Sequence, residues 1–112
     1  MITSQHVGDI LVCRLSGRLD APGADALSAQ LLPLLEGDRR RVLLNLEDLG
    51  YISSIGLRVL VKAAKTVKAS GGLLKLCSAP PTVRKVLEIS GMDQLLDLRD
   101  SESAALGAFG PG

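Results

Sequence analysis

The stretch "RVLLNLEDLGYISSIGLRVLVKAAKTVKAS", Arg41 to Ser70, decides how this chain is read. Its opening, Val42 to Leu46, is apolar at successive positions, as in a strand covered on both faces. Its close is an amphipathic helix beginning near Ser54. Leu57, Leu60, Val61, Ala64 and Val67 make the inner stripe, and Arg58, Lys62 and Lys65, with Lys68 beside them, make the outer face. That outer face reads as solvated surface, or else as a guide for an acidic partner, since charge speeds encounter. Between strand and helix stand two adjacent hydroxyls, Ser53 and Ser54. Glu47 and Asp48 read as a solvated turn, not a catalytic pair, because nothing nearby would separate their pKa values.

Working outward, "ILVCRLSG" (Ile10–Gly17) is a strand with Leu11, Cys13 and Leu15 on one face. "MITSQ" before it, joined by "HVGD", forms a hairpin partner. Asp20 is a good N-cap for a first helix, and Pro22 fits its first turn. Leu27, Leu31, Leu34 and Leu35 fall on one stripe, while Pro33 predicts a kink or early stop before Gly37. Past the second helix, Gly71 and Gly72 lead into a strand, Leu73 to Ser78. Two prolines open a third helix with Val83, Val86 and Leu87 inward and Gly91 at its end. Leu95–Leu98 is a short last strand, "SESAALGAF" a fourth helix capped by Ser101, and "GPG" a tail. Alternating strands and helices with short joints predict an α/β fold with parallel pairing. The expected architecture is a mostly parallel β-sheet with an antiparallel N-terminal strand. About four helices pack mainly on one face.

The totals exclude several functions. The 112 residues suit one domain, 1–112, and 46% of them are apolar, so a core forms without disulfides or metal. The net charge of +1 argues neither for nor against acidic partners. Tyr51 and Phe109 are the only aromatic residues, which weakens any case for nucleic acid. No apolar run approaches the ~20 residues of a membrane span. "MITSQHVGD" lacks the features of a secretory signal, so a cytoplasmic protein is expected. Cys13 and Cys77 read as reduced core thiols, and His6 has no Cys or His neighbour with which to hold a metal. No cofactor is expected. Of the triplet Arg39, Arg40 and Arg41, too short for nucleic-acid binding, the reading is that it covers a strand start.

The serine junction has four readings. The first is a plain helix cap, the usual role of a serine before a helix. A hydrolase elbow needs a glycine two residues to either side, and Ser54 has Gly56 after it but Ile52 before it; His6 is the lone histidine. A phosphate loop needs a Gly-Lys-Ser/Thr ending that "GYISSIG" lacks. The fourth reading, a phosphate acceptor, fits the place. Sites gather at the C-terminal ends of parallel strands, and Gly50 and Gly56 leave room for another protein's backbone. A phosphate on Ser54 would gain from the helix dipole. A partner packed on a neutral hydroxyl would have to bury a dianion, at a cost of several kcal/mol.

The motifs together resemble those of the STAS-domain anti-sigma factor antagonists, with their SpoIIAA-like fold, over nearly the whole chain. "LSGRLDAPGADAL" is similar to that family's "GxLD" strand end and first helix. "VLLNLEDLGYISSIGLRVL" is similar to its strand, "DLSxxxxxDSSGL" and helix. "SAPPTVRKVLEISGMDQLLDL" is similar to its last helix and strand.

The resemblance implies a partner switch. The unmodified antagonist binds an anti-sigma factor that is also a serine-protein kinase of the histidine-kinase-like ATPase fold. Phosphorylation releases it, and a metal-dependent serine phosphatase resets it. The chain is then a substrate and not an enzyme. Alignment puts Ser54 at the phosphoacceptor, with Ser53 as the alternative. Partner contacts fall on Asp20, Gly50, Tyr51, Ser53, Ser54, Ile55, Gly56 and Arg58. On its own, Tyr51 reads as a packing anchor ahead of a recognition residue. Ser53 stands where the family has an aspartate and Ile55 where it has a second serine. Two rivals remain: a non-phosphorylated STAS scaffold in a stress-signalling or lipid-transport complex, and a small-ligand or nucleotide sensor.

Overall fold

A computed structural model describes residues 2–38 and 40–110. Met1, Arg39 of the arginine triplet and the last two residues of the "GPG" tail lie outside the described residues. The elements in chain order are β1 (Ile2–Val7), β2 (Ile10–Leu19), α1 (Ala21–Leu31), β3 (Arg41–Ile52), α2 (Ser54–Ala69), β4 (Leu73–Cys77), α3 (Pro81–Ile89), β5 (Asp97–Arg99) and α4 (Glu102–Ala108). Short 3₁₀ turns follow α1 and α3, at Leu32–Leu35 and Met92–Gln94.

The strands form one sheet in the order β1-β2-β3-β4-β5. β1 runs antiparallel to β2, and the other three pairs are parallel. This is the expected mostly parallel sheet. α1, α2 and α3 cover one face, meeting it through Leu27 and Leu31, Leu57, Leu60, Ala63 and Val67, and Val83 and Leu87. α4 covers the other face through Ala105, with Phe109 just past its end, over Ile10, Val12, Leu43 and Cys77. The successive apolar residues of β3 thus divide: Val42, Leu44 and Leu46 face the three helices, and Leu43 faces α4. Cys13 and Cys77 are buried free thiols on opposite faces.

Several local readings need correction. β3 does not stop at Leu46 but runs to Ile52, so Glu47 and Asp48 are strand residues with exposed side chains, not a turn. The extension is possible because β3 carries two extra residues relative to β2. The register steps from Arg14↔Asn45 to Ser16↔Asp48, and again from Gly17↔Leu49 to Arg18↔Tyr51. Asn45 supports the first bulge by accepting the Glu47 N–H at 2.9 Å. At the second, Gly17 adopts φ +90°, which suits glycine.

Pro33 stops α1 as expected, and the chain tightens into a 3₁₀ turn. In α2, Ala63 rather than Val61 or Ala64 completes the fully buried stripe. β5 begins at Asp97, not Leu95. Leu95 lies in the preceding turn and is 67% exposed. Arg41 does cover the start of β3. Its guanidinium donates to both Asp9 carboxylate oxygens at 3.0 and 2.9 Å, and to the carbonyls of Phe109 and Gly110 at 2.7 and 2.6 Å.

Candidate functional site

The two serines divide the roles that the sequence left shared. Ser53 has extended backbone (φ −98°, ψ 174°) and is the N-cap of α2. Its hydroxyl donates to the Leu19 carbonyl at 2.8 Å and accepts from the Gly56 N–H at 3.3 Å. Its own N–H also donates to Leu19 O, at 2.9 Å. Leu19 is the last residue of β2 and pairs with Ile52. Ser53 therefore ties the head of α2 to the ends of both central strands. Ser54 is the first residue of the helix and is exposed. Among the described residues, its hydroxyl has no hydrogen-bond partner. Ile55 beside it is 43% exposed.

The glycines differ from expectation. Gly56 does not leave room for a partner. It is buried, and a Cβ there would stand 2.7 Å from both Leu19 Cβ and Leu19 O. Gly56 is needed for α2 to rest on the strand end. Gly50 does lie open: it is exposed, and a Cβ would meet only Gly17 O at 3.8 Å.

Tyr51 is not a packing anchor. It is 41% exposed at the C-terminal edge of β3, where the Arg18 guanidinium lies 4.4 Å over its ring. Asp20 is the N-cap of α1, accepting from Gly23 N–H at 3.0 Å, and its other oxygen is 3.6 Å from Arg18 Nε. Asp20, Arg18 and Tyr51 form a half-exposed polar cluster on the same edge as Ser54. Arg18 was not singled out from the sequence. Its partner Tyr51 becomes opposite it only through the two bulges, which no sequence pattern announces. Arg58 is exposed one helical turn beyond Ser54 and has no carboxylate within ion-pair distance among the described residues.

Other chemistry-bearing groups lie elsewhere. Burial pushes the Cys13 thiol up to about 11, against a smaller opposing effect of Arg40, and burial likewise raises Cys77. Both thiols are therefore protonated near neutrality. Asn45 and Arg14 hold Glu102 of α4 at 3.0 and 2.8 Å. Among the described residues, no group of three or more His, Cys, Asp or Glu side chains is placed to hold a metal ion. No described helix is long and apolar enough to cross a membrane.

Comparison with known proteins places this arrangement. The STAS domain family profile matches residues 1–105. BtrV of Bordetella bronchiseptica, named as an anti-sigma factor antagonist, is 38% identical over 108 residues, which cover 96% of this chain and 93% of that protein. The anti-sigma-B factor antagonist of Bacillus subtilis is 35% identical over 95 residues, covering 84% of each chain. The Bacillus anti-sigma factor antagonist SpoIIAA in its unphosphorylated form superposes with a TM-score of 0.76 at 23% identity, over 100% of this chain and 99% of that one. The fold is thus SpoIIAA-like, and the chain belongs to the STAS-domain family of anti-sigma factor antagonists.

Proposed function

We propose that this chain is a phosphorylation-controlled antagonist that sequesters an anti-sigma factor. Unmodified, it docks through the edge formed by Asp20, Gly50, Tyr51, Ser53, Ser54, Ile55 and Arg58. The partner is a serine kinase of the histidine-kinase-like ATPase fold, which phosphorylates Ser54 and is thereby released. A metal-dependent serine phosphatase restores the hydroxyl. The chain acts in the cytoplasm as one STAS domain spanning 1–112, as a substrate and not an enzyme.

The observation that carries this reading is the division of labour between the two serines. The Ser53 hydroxyl is engaged as donor and acceptor, whereas the Ser54 hydroxyl is exposed and unengaged among the described residues. A kinase can reach the second without dismantling the helix cap. Relatives named as antagonists of anti-sigma factors support the partner class, and a SpoIIAA structure in a phosphorylated form shares the fold at TM-score 0.69.

The site tolerates the added charge. A phosphate on the first helical residue faces the positive end of the α2 dipole, worth about 0.3–1 kcal/mol. The amides of Ser54 and Ile55 remain as orphan donors once Ser53 has taken Gly56. Arg58 stands at the i+4 position, where helix-surface charges meet. A partner seated on Ile55 and Tyr51 would have no such compensation. Each 1.4 kcal/mol of lost contact is about tenfold in affinity.

The test mixes the purified chain with its cognate kinase, ATP and magnesium. Phosphate should appear on Ser54 and the complex should dissociate, while Ser54→Ala should stay bound and unmodified. Transfer to Ser54→Ala followed by release would move the switch to Ser53 or elsewhere. Binding of the kinase without phosphate transfer would favour the scaffold alternative.

A further inference from the structure

The flank of α2 that the sheet does not cover borders an open groove of about 840 Å³, running from Ser54 to Ala69. Its opposite wall is the segment after α3. Leu57 and Val61 line it from α2, and Met92 and the largely exposed Leu95 from across. Arg58, Lys62 and Lys65 also line it, at i, i+4 and i+7 of the same helix. None of the three has a carboxylate within ion-pair distance among the described residues, although six ion pairs occur elsewhere, on Arg14, Arg18, Arg41, Lys75, Arg84 and Arg99.

We propose that this groove binds an acidic amphipathic helix of a protein partner. Its apolar face would lie on Leu57, Val61, Met92 and Leu95, and its carboxylates would meet Arg58, Lys62 and Lys65. The groove shares Ser54 and Arg58 with the proposed kinase edge and continues along α2 to Ala69, so it is a second docking surface that adjoins the switch at one end.

Charge spacing favours a helix over a lipid. α2 is about 24 Å long, and its three cations are spread over about 10 Å of it. A fatty acid presents one carboxylate at one end and would leave two cations unmatched. A helix presents carboxylates at the same i, i+4, i+7 spacing. A nucleotide fits poorly as well. No aromatic ring lines the groove, and the Thr66 and Ser90 hydroxyls already donate to the carbonyls of Lys62 and Leu87 at 2.8 and 3.1 Å. The groove thus offers cations and apolar surface but few free directional groups, which is the pattern of helix-in-groove recognition.

The experiment uses the full chain and a fluorescent synthetic helix of about 16 residues, with leucines on one face and flanking glutamates at i, i+4 and i+7. Anisotropy should show saturable binding that weakens with added salt. The double variant Lys62→Glu with Lys65→Glu should bind at least about tenfold more weakly. A peptide carrying lysines in place of the glutamates should recover binding to that variant, which also reports that the variant is folded. Leu95→Asp, which lies off the proposed kinase edge, should weaken both pairings while phosphate transfer to Ser54 is unchanged, so failure here leaves the phosphorylation reading untouched. No saturable binding of the glutamate peptide, or binding indifferent to charge reversal, overturns the proposal. So does saturable binding of palmitate or of phosphatidylglycerol vesicles with no peptide binding.

Discussion

The Ser53 hydroxyl reaches across 34 residues of chain to donate to the Leu19 carbonyl at 2.8 Å, while accepting from the first turn of its own helix. This one contact couples the C-terminal end of β2 to the head of α2. It makes Ser53 a structural residue and leaves Ser54 as the hydroxyl without a partner among the described residues.

Replacing the two serines should therefore separate stability from switching. Ser53→Ala removes the cap and the hydroxyl's bond to Leu19, though not the backbone one, and should cost about 1–2 kcal/mol. Ser54→Ala should stay within about 0.5 kcal/mol of wild type. Urea unfolding of both variants measures the difference. Equal losses would mean that the cap contributes nothing.

Gly56 and Gly50 make a second pair of opposites. A methyl at Gly56 would stand 2.7 Å from Leu19 and should destabilise by about 1–3 kcal/mol, because backbone must move. At Gly50 the nearest atom is 3.8 Å away, so Gly50→Ala should be close to neutral for folding. On the proposed docking edge, Gly50→Lys should nevertheless reduce antagonist–kinase complex formation with an unchanged melting temperature.

Arg41 holds the end of α4 by donating to the Phe109 and Gly110 carbonyls, and holds Asp9 by a bidentate pair. Arg41→Ala should cost about 1.5–3 kcal/mol, the range for bonds from a charged donor. Because α4 covers Cys77 while α1–α3 cover Cys13, local opening should expose the two thiols unequally. A maleimide reagent should label Cys77 faster than Cys13 in this variant. Equal rates would indicate global unfolding instead.

The buried thiol sets an alkaline limit. Cys13 ionises at about 11 in the fold against an ordinary value of 9.0, because burial penalises the thiolate. A raised folded pKa means that the fold binds the proton more tightly. The associated stability is full below about pH 9 and is lost as pH rises through about 11, amounting to about 2–3 kcal/mol. Cys13→Val should lose less stability than wild type between these limits. At the acid end the sign reverses. Hydrogen bonds from Arg99, then Lys75, hold the Asp97 carboxyl below its ordinary value, against some desolvation. Its contribution is present above the ordinary carboxylate range and falls away as pH drops below it. Asp97→Asn should flatten the acid limb of a melting-temperature profile.

Much of this was legible in the chain. Apolar runs of β-strand length, helical stripes and the caps Asp20 and Ser101 fix local structure through neighbouring residues, so they could be read directly. The order of elements then forces a mostly parallel sheet, and the motif around Ser54 marks a strand-to-helix junction that the structure shows. What failed was tertiary in origin. With a regular ladder, Arg14↔Asn45 would place Arg18 opposite Leu49, but the two bulges bring it to Tyr51. That slip builds the Arg18–Tyr51–Asp20 cluster and leaves the ring exposed. The role of Gly56 is likewise a contact with Leu19, on a separate strand.

The sequence by itself determined the elements, their order and the presence of two hydroxyls at one helix mouth, because periodicity and capping are properties of adjacent residues. Only the tertiary structure decided which hydroxyl is engaged, since the deciding partner, the Leu19 carbonyl, is brought to Ser53 by strand pairing.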